Sequence, residues 1–99
     1  MLIVAGHFDV KPERRDEFIA ERLGSIRTSR GENGCISYAF SPDPLEPGRV
    51  LLFERWESKE ALAAHLSGLQ SSPRPESDIE MLGAEVLQYM VSDVGPVGS

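Results

Sequence analysis

The chain has 99 residues, one domain by the usual allotment of about 100–200 residues, which excludes a two-domain enzyme with a separate nucleotide-binding half. Its 40% hydrophobic and 26% charged residues, with one Trp, two Tyr and four Phe, describe a folded protein rather than a disordered one. Sixteen acidic against ten basic residues leave a net charge of −6, so no run of phosphates could be neutralised, and no nucleic acid or anionic membrane surface is expected as a partner.

The first residues, Met1 to His7, lack the basic opening and long apolar core of a secretory signal, and no run approaches the ~20 residues of a membrane span. The expectation is a cytoplasmic protein with no membrane partner. From Leu2 to Val10 the residues alternate, with Leu2, Val4, Phe8 and Val10 on one face and Ile3, Ala5, His7 and Asp9 on the other, which predicts the first strand. Pro12 then suits the first position of a helix whose opening turns carry Glu13, Asp16 and Glu17 at the positive end of the dipole. Phe18, Ile19, Leu23 and Ile26 fall within a sector of about 140°, and Gly31 supplies a stop, so the helix is expected over residues 12–30.

Asn33 and Gly34 form a turn signal leading into a second strand over 35–41, with Ile36, Tyr38 and Phe40 on one face and Cys35, Ser37 and Ala39 on the other. Three prolines between Pro42 and Gly48 require a loop, after which residues 49–56 read as a strand. Ser58 is an N-cap for a short helix through Ser67, stopped by Gly68, with Leu62, Leu66 and Leu69 as its apolar stripe. Residues 70–77 are polar and proline-broken, 78–82 are expected to form one or two helical turns, and 84–92 to form a last strand. The whole is read as one domain over residues 1–94 with a flexible tail over 95–99.

The order βαββαβ is that of a ferredoxin-like α+β fold, an antiparallel sheet with both helices returning across one face. Yet both faces of the sheet are apolar: Ile3, Ala5, Leu51, Phe53, Leu87, Tyr89 and Val91 have one parity, and Leu2, Val4, Phe8, Val50, Leu52, Val86 and Met90 the other. Leaving such side chains in water forgoes on the order of 1.5–3 kcal/mol each, so a homodimer packed sheet against sheet is expected.

Few side chains could carry chemistry. His65 flanks the stripe of the second helix; it reads either as a proton acceptor in a pocket or as a buried histidine bonded to a neighbouring group, and periodicity alone favours the second. Trp56, at a strand end, could wall a pocket for a flat ligand or simply pack. Glu54 shares its face and needs a partner, for which an Arg across the sheet or the dimer is the natural choice. Arg22 lies inside the apolar sector of the first helix, where it could attract a phenolate or snorkel to water. Residues 11–30 hold six bases against four acids, while 54–99 hold three against eight, so an anionic substrate would be drawn to that helix. His7 and Tyr38 could line the same cleft or be hydrogen-bonded core. The single Cys35 can form no internal disulfide, lacks a recognisable base and reads as an inert thiol; with two histidines no Cys/His metal site can be assembled.

Three stretches carry a resemblance: residues 32–38 (Glu32, Asn33, Gly34 and Cys35 through Tyr38), residues 52–58 with Glu54 and Trp56, and residues 60–65 from Glu60 to His65. At this mutual spacing they resemble the antibiotic biosynthesis monooxygenase family, whose pattern is a GC-x-x-Y strand, an E-x-W strand end and a helix with S-x-E-A-L-x-x-H. The resemblance implies a dimeric α+β barrel and oxidation of a small phenol or hydroquinone to a quinone by O2, with no flavin, haem or metal cofactor. It also implies His65 as base or proton relay, Trp56 as a pocket wall, and Tyr38 and Asn33 as further lining. A non-catalytic dimeric ligand-binding or stress-response module is the alternative. Haem binding or degradation stands behind both, because haem-degrading relatives use an Asn on the first strand and residues 2–10 contain none.

Overall fold

The structure, a computed structural model, describes residues 1–71 and 77–98. Strands β1 (Leu2–Asp9), β2 (Cys35–Pro42), β3 (Arg49–Trp56) and β4 (Gly83–Met90) form one antiparallel sheet in the order β2-β3-β1-β4. A 3-10 turn (Pro12–Arg14), α1 (Arg15–Glu21) and α2 (Leu23–Arg30) join β1 to β2, and α3 (Lys59–Ser71) joins β3 to β4. This is the expected ferredoxin-like α+β arrangement. β1 is central, with Leu2 opposite Trp56 and Met90 and Phe8 opposite Val50 and Ala84.

The core lies on the helix side of the sheet in two clusters. Leu2, Ile26, Tyr38, Trp56 and Leu62 form one; Val10, Phe18 and Val50 form the other. The first helical segment must reach both, which accounts for its break at Arg22, where Arg22 N–H bonds back to the Ile19 carbonyl at 2.9 Å. Phe18 thereby enters one cluster and Ile26 the other, so the single helix expected over 12–30 is instead a 3-10 turn and two short helices.

Further expectations are corrected. In β2 the register steps from Cys35 opposite Trp56 to Ser37 opposite Arg55, so Ile36 is the extra residue of a bulge; Cys35 packs with Tyr38 on the core side while Ile36 is exposed. In α3 Ser58 does cap, its Oγ accepting from Ala61 N–H at 3.1 Å, but Gly68 does not end the helix. The last turn carries on to Ser71, whose hydroxyl bonds the carbonyls of Ser67 and Gly68 at 3.2 and 3.3 Å. Leu66 is exposed, and His65 takes the inward place with Leu62. Residues 78–82 form no helix: Asp78 pairs with Arg14, Ile79 packs on the Phe18 cluster, and Leu82 N–H bonds Asp9 O at 2.8 Å, which leads an extended chain into β4. Of the polar break expected at 70–77, Gln70 and Ser71 belong to α3, and residues 72–76 lie outside the described residues, as does Ser99 of the expected tail.

Among the described residues no helix lies on the other face of the sheet, and the molecule measures 19 Å along its shortest axis. Leu51, Phe53, Leu87 and Tyr89 stand exposed there. β4 is bare on both faces, since Val86 and Met90, which share the core-side parity, are also exposed.

The turn before β2 positions the site. Gly34 has φ +86°, and a Cβ added there would lie 2.5 Å from the Ala61 Cβ of α3; its carbonyl accepts from Glu57 N–H at 2.8 Å. Gly34→Ala is expected to lose about 1–3 kcal/mol from backbone strain and overpacking, read as a lowered urea midpoint. An unchanged midpoint would contradict this view of the turn.

Candidate functional site

The chemistry-bearing side chains gather where β2, β3 and α3 meet, beneath the turn at residues 31–34. Trp56 ends β3 completely buried. Its indole N–H has no acceptor of its own and donates to Glu54 Oε1, two residues back on the same face, at 2.9 Å. His65 lies over the indole with ring centroids 4.6 Å apart, and Tyr38 meets it edge-on at 5.4 Å and Trp56 edge-on at 6.5 Å. On the far side of the imidazole, His65 Nδ1 is 2.6 Å from Glu32 Oε1. The His65 side chain is only 2% exposed, whereas that of Glu32 is 32% exposed, so the pair runs from the core to the surface.

Burial sets the electrostatics. It raises the Glu54 carboxyl above the ordinary carboxylate range, with Glu32 adding to the shift, while the indole N–H and His65 oppose it. Burial, then the charge of Glu54, pushes the Tyr38 hydroxyl up to about 12, against a bond to Ser29 that acts the other way; Tyr38 is therefore a phenol at any working pH, able to donate a proton in a hydrogen bond. Burial, with Glu32 and Glu54, also pushes the Cys35 thiol up, which keeps it protonated as expected of an inert cysteine. Arg30 Nε donates to the Tyr38 carbonyl at 2.8 Å and ties β2 to α2. Beside the cluster a groove of about 430 Å³ opens to solvent along β2, lined among others by Arg30, Cys35, Ile36, Tyr38 and Phe53.

Over residues 1–71 the chain matches the family described as Antibiotic biosynthesis monooxygenase. The chain belongs to this family. The Synechocystis sp. protein sll1783 is 36% identical over 94 residues, covering 93% of this chain and 64% of that protein, so the chain spans less than two-thirds of that relative. Among solved structures, a Deinococcus radiodurans protein named "putative antibiotic biosynthesis monooxygenase" superposes with a TM-score of 0.76 at 18% identity, each chain covered in full. The Mycobacterium tuberculosis heme-degrader MhuD superposes with a TM-score of 0.71 at 19% identity, covering 96% of this chain and 100% of its own. At those identities the two likenesses speak for the fold alone.

Of the six residues singled out from sequence, the fold brings together His65, Trp56 and Tyr38, which fill the space between them rather than line an open cavity. Asn33 is exposed in the adjoining turn. Arg22 stacks its guanidinium 3.9 Å from the centroid of Phe18, in the other core cluster, with Glu21 at 3.6 Å. His7 is on the opposite, helix-free face, between Leu51 and Glu85 and 3.5 Å from Asp9. Glu54 finds its partner in the Trp56 indole, where an Arg was expected. Glu32 escaped sequence reasoning as a site residue, because it lies in a turn 33 residues from the histidine it contacts and carries no periodic signal.

Because Glu54 keeps its proton in the folded state at pH values where the unfolded chain, titrating near 4.5, has lost it, the native state binds more protons in that window. Stability held at lower pH is then lost as pH rises through the folded value. Glu54→Gln keeps an acceptor for the indole N–H and cannot ionise. Denaturation between about pH 4 and about pH 7 should show the variant gaining on the wild type as pH rises; parallel profiles would remove the argument.

Proposed function

We propose that the protein is a cofactor-independent monooxygenase that converts a small phenol or hydroquinone to a quinone, as a cytoplasmic homodimer. The observation that carries this reading is the buried imidazole of His65, bonded to a carboxylate on one side and packed on two aromatic rings. A base there takes the phenolic proton, leaving an electron-rich anion that gives an electron to O2; one oxygen atom enters the product and the other leaves as water. Apolar surroundings shield the radical pair. The groove along β2 supports the substrate class, with Ile36 for a ring, Arg30 for a developing phenolate, and Tyr38 shared between groove and cluster. Trp56 and Tyr38 serve as walls of the site beside the base, and Asn33 lies at the rim of the turn.

The homodimer rests on the bare sheet face. Phe53, Leu87 and Tyr89 are 41%, 49% and 49% exposed in the single chain, and a second copy placed sheet to sheet covers the same residues on both partners.

One feature favours a second reading, a dimeric ligand-binding or stress-response module without turnover: Trp56, Tyr38 and His65 occupy the space a substrate would need. Haem ligation by His65 is disfavoured by the same packing.

Oxygen uptake with a panel of hydroquinones should exceed the buffer rate and fall about tenfold or more in His65→Ala. Ligand binding with no uptake from any panel member would select the second reading. In sedimentation at micromolar concentration the protein should run at twice its 10.9 kDa chain mass, and a monomer would contradict the covered sheet face. Added haemin should give no shifted Soret band.

A further inference from the structure

Glu32 belongs to the turn that clamps α2, β3 and α3 together. Its own N–H bonds Ser29 O at 3.1 Å and its carbonyl accepts from Cys35 N–H at 3.2 Å, so both backbone groups of the residue are tied. The carboxylate then spans to α3 with one oxygen on His65 Nδ1 at 2.6 Å. The other oxygen lies over Gly68, where an added Cβ would come within 3.9 Å of it. Gly68 sits three residues beyond His65 on the same helix, so the side chain rests on the helix surface directly beside the ring it contacts.

An ionised carboxylate only accepts hydrogen bonds, so the nitrogen facing it must carry the proton. We propose that Glu32 is a positioning residue that fixes His65 as the Nδ1–H tautomer and leaves Nε2 as the atom that takes a proton from substrate. The catalytic consequence rests on the monooxygenase reading above; the tautomer itself does not. The other titratable groups around the ring are Glu54 on β3, protonated more readily than usual and already bound to the Trp56 indole, and Tyr38 and Cys35 on β2, both held neutral. None of these is bonded to Nδ1, and among the described residues Glu32 alone supplies an acceptor there. The ring nitrogen opposite the bonded one is what a base needs, and the tautomer is set by the hydrogen bond the other nitrogen makes.

The chain has two histidines, so long-range nitrogen–proton NMR of the full-length protein, with His7→Asn to assign the signals, reads each ring directly. Wild-type His65 should show a protonated Nδ1 and a pyridine-like Nε2 when neutral. Glu32→Gln, which keeps an acceptor oxygen, should preserve that pattern, and Glu32→Ala should move His65 toward the Nε2–H form preferred by free imidazole. In the oxygen-uptake assay Glu32→Ala should lower kcat about tenfold with little change in KM, and Glu32→Gln should recover most of it. An Nε2–H tautomer in the wild type overturns the proposal even if no variant folds, and so does an unchanged His65 spectrum in folded Glu32→Ala. The expected tautomer switch with no oxygen uptake from any protein would sustain the positioning role and refute the monooxygenase reading.

Discussion

The indole of Trp56 is the contact on which the rest of the site depends. It is the largest fully buried side chain in the protein, placed at the end of β3 where the sheet, the turn before β2 and α3 meet. An indole has a single donor and two broad faces, and each has one use here: the N–H holds Glu54 at 2.9 Å, a face lies under His65, and Tyr38 comes edge-on. Remove the indole and Glu54 is left as a buried carboxyl without a donor while His65 loses the surface it rests on. The usual cost of orphaning such a group, about 1–3 kcal/mol, adds to the loss of aromatic packing.

A cluster of this kind is a demanding way to build a core. An all-apolar junction would tolerate substitution of shape for shape, whereas here Glu54, Tyr38 and His65 each need a particular partner in a particular direction. Among the described residues no buried side-chain nitrogen or oxygen is left without a partner. The bonds made by Glu54, Tyr38 and the Nδ1 of His65 therefore limit the ways in which α3 can dock on β3. Gly34 adds a steric condition, because the turn approaches Ala61 more closely than a side chain would permit.

The strands, their order and the apolar character of both sheet faces were legible because a period of two is a strong signal over eight residues. The same period misassigned β2, since a one-residue bulge is invisible to alternation and shifts Cys35 to the face of Tyr38. In α3 the periodicity put Leu66 in the apolar stripe and His65 on its flank; packing chose His65 because Trp56 and Glu32 satisfy its ring, and Leu66 was left to water. The Gly68 stop failed because the helix carries on through it to Ser71, whose hydroxyl bonds the carbonyls of Ser67 and Gly68. Trp56, Tyr38 and His65 could be singled out as residue types in suggestive places. Their convergence, and the part of Glu32, depend on contacts across 33 residues of sequence that local pattern cannot encode. Arg22 and His7 were drawn to the site by helix angle and strand parity, and were carried off by the break at Arg22 and by the two-sidedness of the sheet.

That two-sidedness links the site to the exposed face of the sheet. On β1, Leu2 and Val4 face the helices while Ile3, Ala5 and His7 face outward, and β3 divides in the same way between Glu54 and Trp56 on one side and Leu51 and Phe53 on the other. A slip of one residue in either strand would exchange the two sets, putting Glu54 and Trp56 on the bare face and Phe53 in the core. The register that buries the Trp56–Glu54 pair is therefore the register that leaves Leu51 and Phe53 exposed. The bulge at Ile36 lets β2 serve both sides, placing Cys35 and Tyr38 in the core while exposing Ile36 along the groove. The buried Trp56–Glu54 pair on one face and the exposed apolar set on the other thus follow from one choice of strand pairing, so a change in that pairing could not alter either one alone.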